Sequence, residues 1–190
     1  MFVLCCGRFQ PFHNGHLRFL RQAARQPGQI VIGVIVVTTV AESGRRRRVP
    51  KTLGAMGDAR LTQALNPYSA LERVRMISAC VKKQAWASRA MVVPIPRPDV
   101  YWEIISAMFP GERTWALPVS EDPFEDAKER WYRQQGDRVV RINADLSVSG
   151  TRVRKLLATD RSTALTLVPA PVASFLGRKE PRREARGRTG

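Results

Sequence analysis

Apolar and polar positions change rhythm several times along this chain, and the changes divide it into elements. Phe2-Val3-Leu4-Cys5-Cys6 is an unbroken apolar run of strand length. From about Asn14 to Gln26 the apolar residues Leu17, Leu20, Ala23 and Ala24 recur at helical spacing. Gln29 to Thr39 is a nearly continuous Val/Ile run, as expected of a strand covered on both faces. A helix is predicted over Ala70–Lys83, with Val74, Ile77 and Val81 as its stripe and Ser69-Ala70-Leu71-Glu72 as a capping box. Further along come a strand at Met91–Ile95, a helix near Val100–Met108, a strand at Thr114–Val119, a polar helix at Pro123–Arg133 and a strand at Arg138–Asn143. Ser149 caps a helix running to about Ala158, and a short helix is predicted at Pro171–Leu176. Residues 41–65 break the rhythm and read as a loop insertion, with a short helix near Arg60–Leu65.

Five strands separated by helices predict an α/β fold, a doubly wound parallel five-stranded sheet. Ligands of such sheets bind at the carboxyl ends of the strands. Gly7–His16, the segment after the second strand (Thr38–Ser43) and Ser149–Arg154 all follow strands and can converge there. No G-x-x-x-x-G-K-S/T or G-x-G-x-x-G run is present, which excludes a P-loop and an ordinary dinucleotide-binding turn.

Composition refines this picture. The 190 residues are 44% hydrophobic and 25% charged, the balance of a globular chain. They are expected to form one domain over residues 1–177, followed by a basic, disordered tail over 178–190. No stretch approaches the roughly 20 apolar residues of a membrane helix, and the start lacks the pattern of a signal peptide. Cys5, Cys6 and Cys80 fit neither a disulfide framework nor a metal spacing, so they read as buried thiols of a reducing compartment, the cytoplasm. The formal net charge of +16 favours acidic partners. Arg45-Arg46-Arg47-Arg48 with Lys51 forms one cluster, and Arg178, Lys179, Arg182, Arg183, Arg186 and Arg188 crowd the tail. Nucleic-acid binding is the sharper reading of these runs. Without interleaved aromatics, a solvated, disordered run is the favoured reading of the tail, and for the Arg45–Arg48 cluster a third reading exists beside solvated loop and nucleic-acid site, triphosphate capture.

The chemistry concentrates in Gly7-Arg8-Phe9-Gln10-Pro11-Phe12-His13-Asn14-Gly15-His16, which holds both histidines of the chain. His13 and His16 share a face on a first helical turn, beside free N–H groups and the positive end of the helix dipole. That is a place to hold phosphate, and two histidines alone do not make a zinc site. Ser149-Gly150-Thr151-Arg152-Val153-Arg154 opens a second helix with hydroxyls and guanidiniums, another phosphate site. Arg152 and Arg154 point to different faces, so one of them enters it.

His13-Asn14-Gly15-His16 resembles the H-x-G-H signature of the nucleotidyltransferase superfamily. The full ten-residue run is similar to that of archaeal-type nicotinamide mononucleotide (NMN) adenylyltransferases. Val148–Arg154 resembles the superfamily's second signature, roughly I/Y-S-S/G-T-x-I/V-R. Asn66–Arg73 is similar to the N-P-F/W-S/T-x-x-E-R stretch of that family. The resemblance implies a Rossmann-like nucleotidyltransferase fold and the reaction ATP + NMN → NAD⁺ + pyrophosphate. His13, His16, Arg8 and Arg154 would be catalytic. Gly7, Arg8, Phe9, Gln10, His13, His16, Ser149, Thr151 and Arg154 would bind ATP. Thr39, Asp99 and Trp102 would bind NMN. Mg²⁺ would come bound mainly through the ATP phosphates, with no protein metal site. The chain departs from the family in two places: the Asp99–Trp102 spacing is short, and Leu65 stands where some relatives carry a basic residue for the triphosphate. Arg45–Arg48, Lys51 and Arg60 are the cations available to substitute. The rivals are a relative with another acceptor, such as phosphopantetheine, or with CTP, and a nucleic-acid-binding protein that reuses the fold. The sequence is compatible with a homo-oligomer and does not fix the oligomeric state.

Overall fold

The computed structural model describes residues 1–36, 51–60, 62, 65–143 and 147–178. Thr39, the Arg45–Arg48 cluster and the tail beyond Arg178 lie outside the described residues.

Five strands, β1 (Phe2–Gly7), β2 (Gln29–Ile35), β3 (Ala90–Ile95), β4 (Arg113–Pro118) and β5 (Arg138–Ile142), form one all-parallel sheet in the order β3-β2-β1-β4-β5. The chain winds outward from β1 in one direction through β2 and β3. It then crosses back to lay β4 and β5 on the other side. The switch point therefore lies between β1 and β4, where ligands of such sheets bind. Among the described residues, α1 (Asn14–Ala23), α2 (Lys51–Asp58), α3 (Ala70–Val81), α4 (Trp102–Met108), α5 (Pro123–Gln134), α6 (Gly150–Thr159), α7 (Arg161–Thr166) and α8 (Ala170–Arg178) cover the two faces.

Alternation along the strands builds two cores. Val3, Cys5, Ile30, Ile32 and Val34 face α1, α3 and α8, while Leu4 and Val31 face the layer holding Leu53, Ile105 and Trp131. In the second core Trp115 and Tyr132 stack at 3.8 Å between ring centroids, with Trp102 beside them at 6.1 Å from Trp115. Pro94 lies within β3, which is an edge strand, the place a sheet tolerates proline. No described helix is long and apolar enough to cross a membrane.

The predicted caps stand as expected. Ser69 and Glu72 exchange hydrogen bonds at the start of α3, and Ser149 Oγ accepts from the Arg152 amide at the start of α6. Two helices differ from the sequence expectation. The short helix expected near 60–65 lies partly outside the described residues, and a helix that the sequence did not announce, α2, runs over Lys51–Asp58. Gly54 and Gly57 weaken it by propensity, and burial of Leu53 (1% exposed) against the α5 layer outweighs that cost. α7 was not expected: it is six residues long, has no apolar period, and starts where Asp160 accepts from the Thr163 amide.

Candidate active site

The exit from β1 sets the site. Phe9 turns the chain with a left-handed φ of 50°, and the Gln10–Pro11 peptide is cis. A left-handed phenylalanine is uncommon, and its buried ring (5% exposed), packed against Gly7, Phe12 and His16, holds it there. Gln10 is buried as well. Its Nε2 donates to the Tyr68 carbonyl at 2.9 Å and its Oε1 accepts from the Tyr68 amide at 3.0 Å, which ties the loop to the start of α3. The side chains of Phe9 and Gln10 thus turn into the protein, and what they shape for a ligand is the backbone.

His13 is the N-cap of α1 and His16 its third residue, and the two form a capping box made of imidazoles. The His16 amide donates to His13 Nδ1 at 3.4 Å, and the His13 amide donates to His16 Nδ1 at 3.3 Å. The rings stack at 3.6 Å. An Nδ1 that accepts carries no proton, so these hydrogen bonds assign each ring's proton to Nε2. Burial, helped by Arg18, lowers the His13 pKa to about 4. Burial, then His13 and Arg8, lowers that of His16 well below the usual imidazole value. At neutral pH the pair is therefore two uncharged rings, each presenting an Nε2–H donor.

Guanidiniums surround this pair. Arg8 Nη1 donates to the Arg60 carbonyl at 2.6 Å. Arg8 has no carboxylate partner among the described residues, and burial, then Arg60 and Arg154, lowers its pKa to about 10. Arg154 donates to the Gln10 carbonyl and, at 3.1 Å, to Thr151 Oγ1, whereas Arg152 turns away to the Ser147 carbonyl. Of the two arginines after Ser149, Arg154 is the one that faces the site. Gly150 is pressed so close to the loop that a Cβ there would lie 2.8 Å from the Gln10 carbonyl oxygen. Neither α1 nor α6 has an acidic residue in its first turn, while α3, α4 and α5 all do. At the switch point the first turns of these two helices thus carry no competing carboxylate and suit an anion.

Sequence reasoning missed the role of Arg73. Its side chain is 1% exposed and donates to the carbonyls of Arg8 (2.7 Å), Ile35 (2.9 Å), Tyr68 and Ser69 (3.2 Å each). One buried cation thus clamps the ends of β1 and β2 and the start of α3. Its place in the Asn66–Arg73 stretch was the signal available.

A cleft of about 400 Å³ opens over the strand ends, a size typical of small-molecule sites. One half is lined by Gly7, Arg8, His13, His16, Ser149 and Gly150. The other half is lined by the loops after β3 and β4 and one face of α5, with Asp99, Asp122, Phe124 and Trp131 among its residues. Here Arg97 is matched with Asp99 and Lys128 with Glu125 at 2.6 Å, while Arg60, beside Arg8, meets Asp122 at 2.7 Å where the two halves join. Asp99 lines the cleft. Trp102 packs behind the wall, against Trp115 and Tyr132, with Arg113 over its ring at 5.3 Å. The α5 wall itself was not singled out by the sequence; its spacing (Phe124, Lys128, Trp131) is that of a helix face like any other. Among the described residues, no group of three or more His, Cys, Asp or Glu is placed to hold a metal.

Residues 4–51 match the Cytidylyltransferase-like family profile. The chain is 28% identical over 173 residues to the phosphonoformate cytidylyltransferase of Streptomyces viridochromogenes, covering 88% of this chain and 85% of that protein. It is 24% identical over 179 residues to the nicotinamide-nucleotide adenylyltransferase of Thermococcus onnurineus, covering 91% and 80%. Its fold is similar to that of a bifunctional NMN adenylyltransferase/ADP ribose pyrophosphatase from Francisella tularensis (TM-score 0.59, 14% identity), over 93% of this chain and 48% of that one.

Proposed function

We propose that this chain transfers the adenylyl group of ATP to NMN, forming NAD⁺ and releasing pyrophosphate. The observation that carries the reading is a single cleft with two differently charged halves. The half at the helix N-termini is uncompensated and positive, and suits a triphosphate. The other half is charge-balanced and walled by aromatics. It suits an acceptor that carries a cationic ring as well as a phosphate, because a pyridinium is favoured by carboxylates and by aromatic faces. The relatives named as nicotinamide-nucleotide adenylyltransferases support the same acceptor.

In this reading the 5′-phosphate of NMN attacks the α-phosphorus of ATP in line. A new P–O bond forms as the bond to the β-phosphate oxygen breaks. A phosphate is already a nucleophile, so the protein needs neither a general base nor a covalent intermediate. Its work is positioning and charge stabilisation. The Nε2–H groups of His13 and His16 donate to oxygens at the α-phosphate. Arg8 and Arg154 hold the β- and γ-phosphates, with the α6 N-terminus and Ser149 beside them. Thr151 anchors Arg154. Phe9, Gln10 and Gly7 shape the loop. Asp99 faces the acceptor, and Trp102 braces the wall behind it. The donor set is cations and N–H groups rather than a carboxylate cage, so it fits Mg²⁺ carried in on the phosphates. The ion would supply charge neutralisation there.

A second reading, cytidylyl transfer to a small phosphonate acid, is favoured by the match to the Streptomyces protein over 88% of this chain. The acceptor half disfavours it, since Asp99 and Glu125 already engage Arg97 and Lys128, which leaves a small polyanion little net positive charge there. The test is NAD⁺ formation from ATP, Mg²⁺ and NMN, read by a coupled dehydrogenase. Parallel arms replace ATP by CTP and NMN by nicotinate mononucleotide or a phosphonoformate. Turnover with CTP and the phosphonate alone would replace the first reading by the second.

A further inference from the structure

We infer that Arg60, a residue outside both signature runs, is a third guanidinium on the nucleotide's triphosphate, parked on Asp122 until the nucleotide arrives. The inference rests on the reading of this cleft as a nucleoside-triphosphate site. Three observations carry it.

Arg60 lines the same cleft as Arg8, His13 and His16. Its carbonyl receives Arg8 Nη1 at 2.6 Å, which holds the Arg8 side chain on the Arg60 backbone, and the Arg60 charge is close enough to act on Arg8. The same carbonyl is gripped by Asn66 Nδ2 at 2.8 Å, which fixes Arg60 to the stretch leading into α3. Arg8 and Arg60 line the cleft, and Arg154 is close enough to act on Arg8, with Asp122 the single carboxylate paired into that group among the described residues.

The hold on Arg60 is weak and replaceable. Its Nη2 meets Asp122 Oδ2 at 2.7 Å, with side chains 29% and 41% exposed. Exposed pairs of this kind are screened by water and contribute little, whereas phosphate oxygens meeting a guanidinium form stronger, charge-assisted bonds. Phe124 lies beneath the guanidinium at 4.3 Å and Nη1 caps the end of α2 at the Met56 carbonyl (2.8 Å). The side chain is therefore held in the cleft while one of its donors can change partner.

Asp122 has a second task that makes the idea testable. Its Oδ1 accepts from the Phe124 amide at 3.0 Å as the N-cap of α5, while Oδ2 holds Arg60. Asp122→Asn keeps the capping oxygen and deletes the competing charge. If Arg60 is parked, that variant frees it.

The experiment is calorimetric titration of inorganic triphosphate, with no acceptor present, into the wild type, Arg60→Met and Asp122→Asn, each checked for its melting temperature. NMN alone is titrated in parallel. Arg60→Met keeps the stem over Phe124 and is expected to bind triphosphate about 10- to 100-fold more weakly, the range for losing a hydrogen bond to a charged group. Asp122→Asn is expected to bind it several-fold more tightly, with NMN binding by Arg60→Met unchanged. If Arg60→Met kept its triphosphate affinity, the inference would be overturned. A loss confined to NMN would assign the guanidinium to the acceptor phosphate, and no change in either would make the pair a strut. If Arg60→Met did not fold, Asp122→Asn decides, since unchanged triphosphate affinity there overturns the inference. A wild type that bound no triphosphate would sink the reading of the whole site as well.

Discussion

The imidazole capping box separates two jobs of His16 that substitution can pull apart. Nδ1 is structural, because it accepts from the His13 amide at 3.3 Å. Nε2–H is the donor that the proposed chemistry uses. Asparagine places a carbonyl oxygen near the position of Nδ1 and nothing at Nε2. Glutamine places an amide near Nε2 and nothing at Nδ1. His16→Asn should therefore retain the cap and its stability while losing about 10²–10³ in turnover, the usual effect of deleting one transition-state donor. His16→Gln should lose a cap interaction, about 1 kcal/mol, yet retain more turnover than the asparagine variant. The assay is the coupled NAD⁺ measurement at saturating ATP and NMN, with thermal unfolding of each variant alongside. The ordering carries the test: an asparagine variant as active as wild type, or more active than the glutamine variant, would refute the assignment of the working proton to Nε2.

Three further outcomes are expected. Arg73→Met leaves the buried carbonyls of Arg8 and Ile35 without a donor; at about 1–3 kcal/mol each, and about 2–4 °C per kcal/mol for a chain this long, calorimetry should record a melting-temperature drop of roughly 4–24 °C. Gly150→Ala drives a methyl to 2.8 Å from the Gln10 carbonyl oxygen beside Arg154, so α6 must shift; nucleotide KM should rise more than stability falls, and an unchanged KM would count against close packing there. The folded-state pKa of His13 is depressed to about 4, so the unfolded chain binds the extra proton first as acid is added. The stability tied to it is complete above about pH 6.5 and is lost as pH falls towards 4, at most about 3 kcal/mol. Denaturant titrations of wild type and His13→Asn across that window should differ in slope.

Much of the fold was legible because two-sided burial leaves a plain mark. Val/Ile runs at β2 and the apolar run at β1 admit few other readings, and the Ser69/Glu72 and Ser149 caps announce their helices in four letters. α2 was illegible because its glycines argue against a helix and its cause is tertiary: Leu53 is buried, and a Cβ at Gly57 would collide with the Arg97 guanidinium. α7 was illegible because six residues capped by Asp160 carry no period to detect. The site divides in the same way. The loop from Gly7 to His16 is contiguous, so its letters could be matched. Arg73 reaches carbonyls 65 and 38 residues away, and no local pattern encodes such a reach.

The formal charge of +16 misleads for a related reason. Summed over the chain it suggests an appetite for any polyanion, nucleic acid included. Recognition depends on which cations lack partners, and pairing is set by the fold. In the acceptor half of the cleft Arg97 and Lys128 each meet a carboxylate, so that region offers a nearly neutral polar wall. At the helix N-termini Arg8 faces backbone alone among the described residues, and the first turns of α1 and α6 hold no acid. Attraction for an anion is thus concentrated where a triphosphate would lie and withdrawn where the acceptor would lie. That contrast, rather than the total, is what makes the cleft suited to joining two unlike substrates. It also implies that neutralising exposed arginines such as Arg152 should leave turnover nearly intact, while neutralising Arg8 should abolish it.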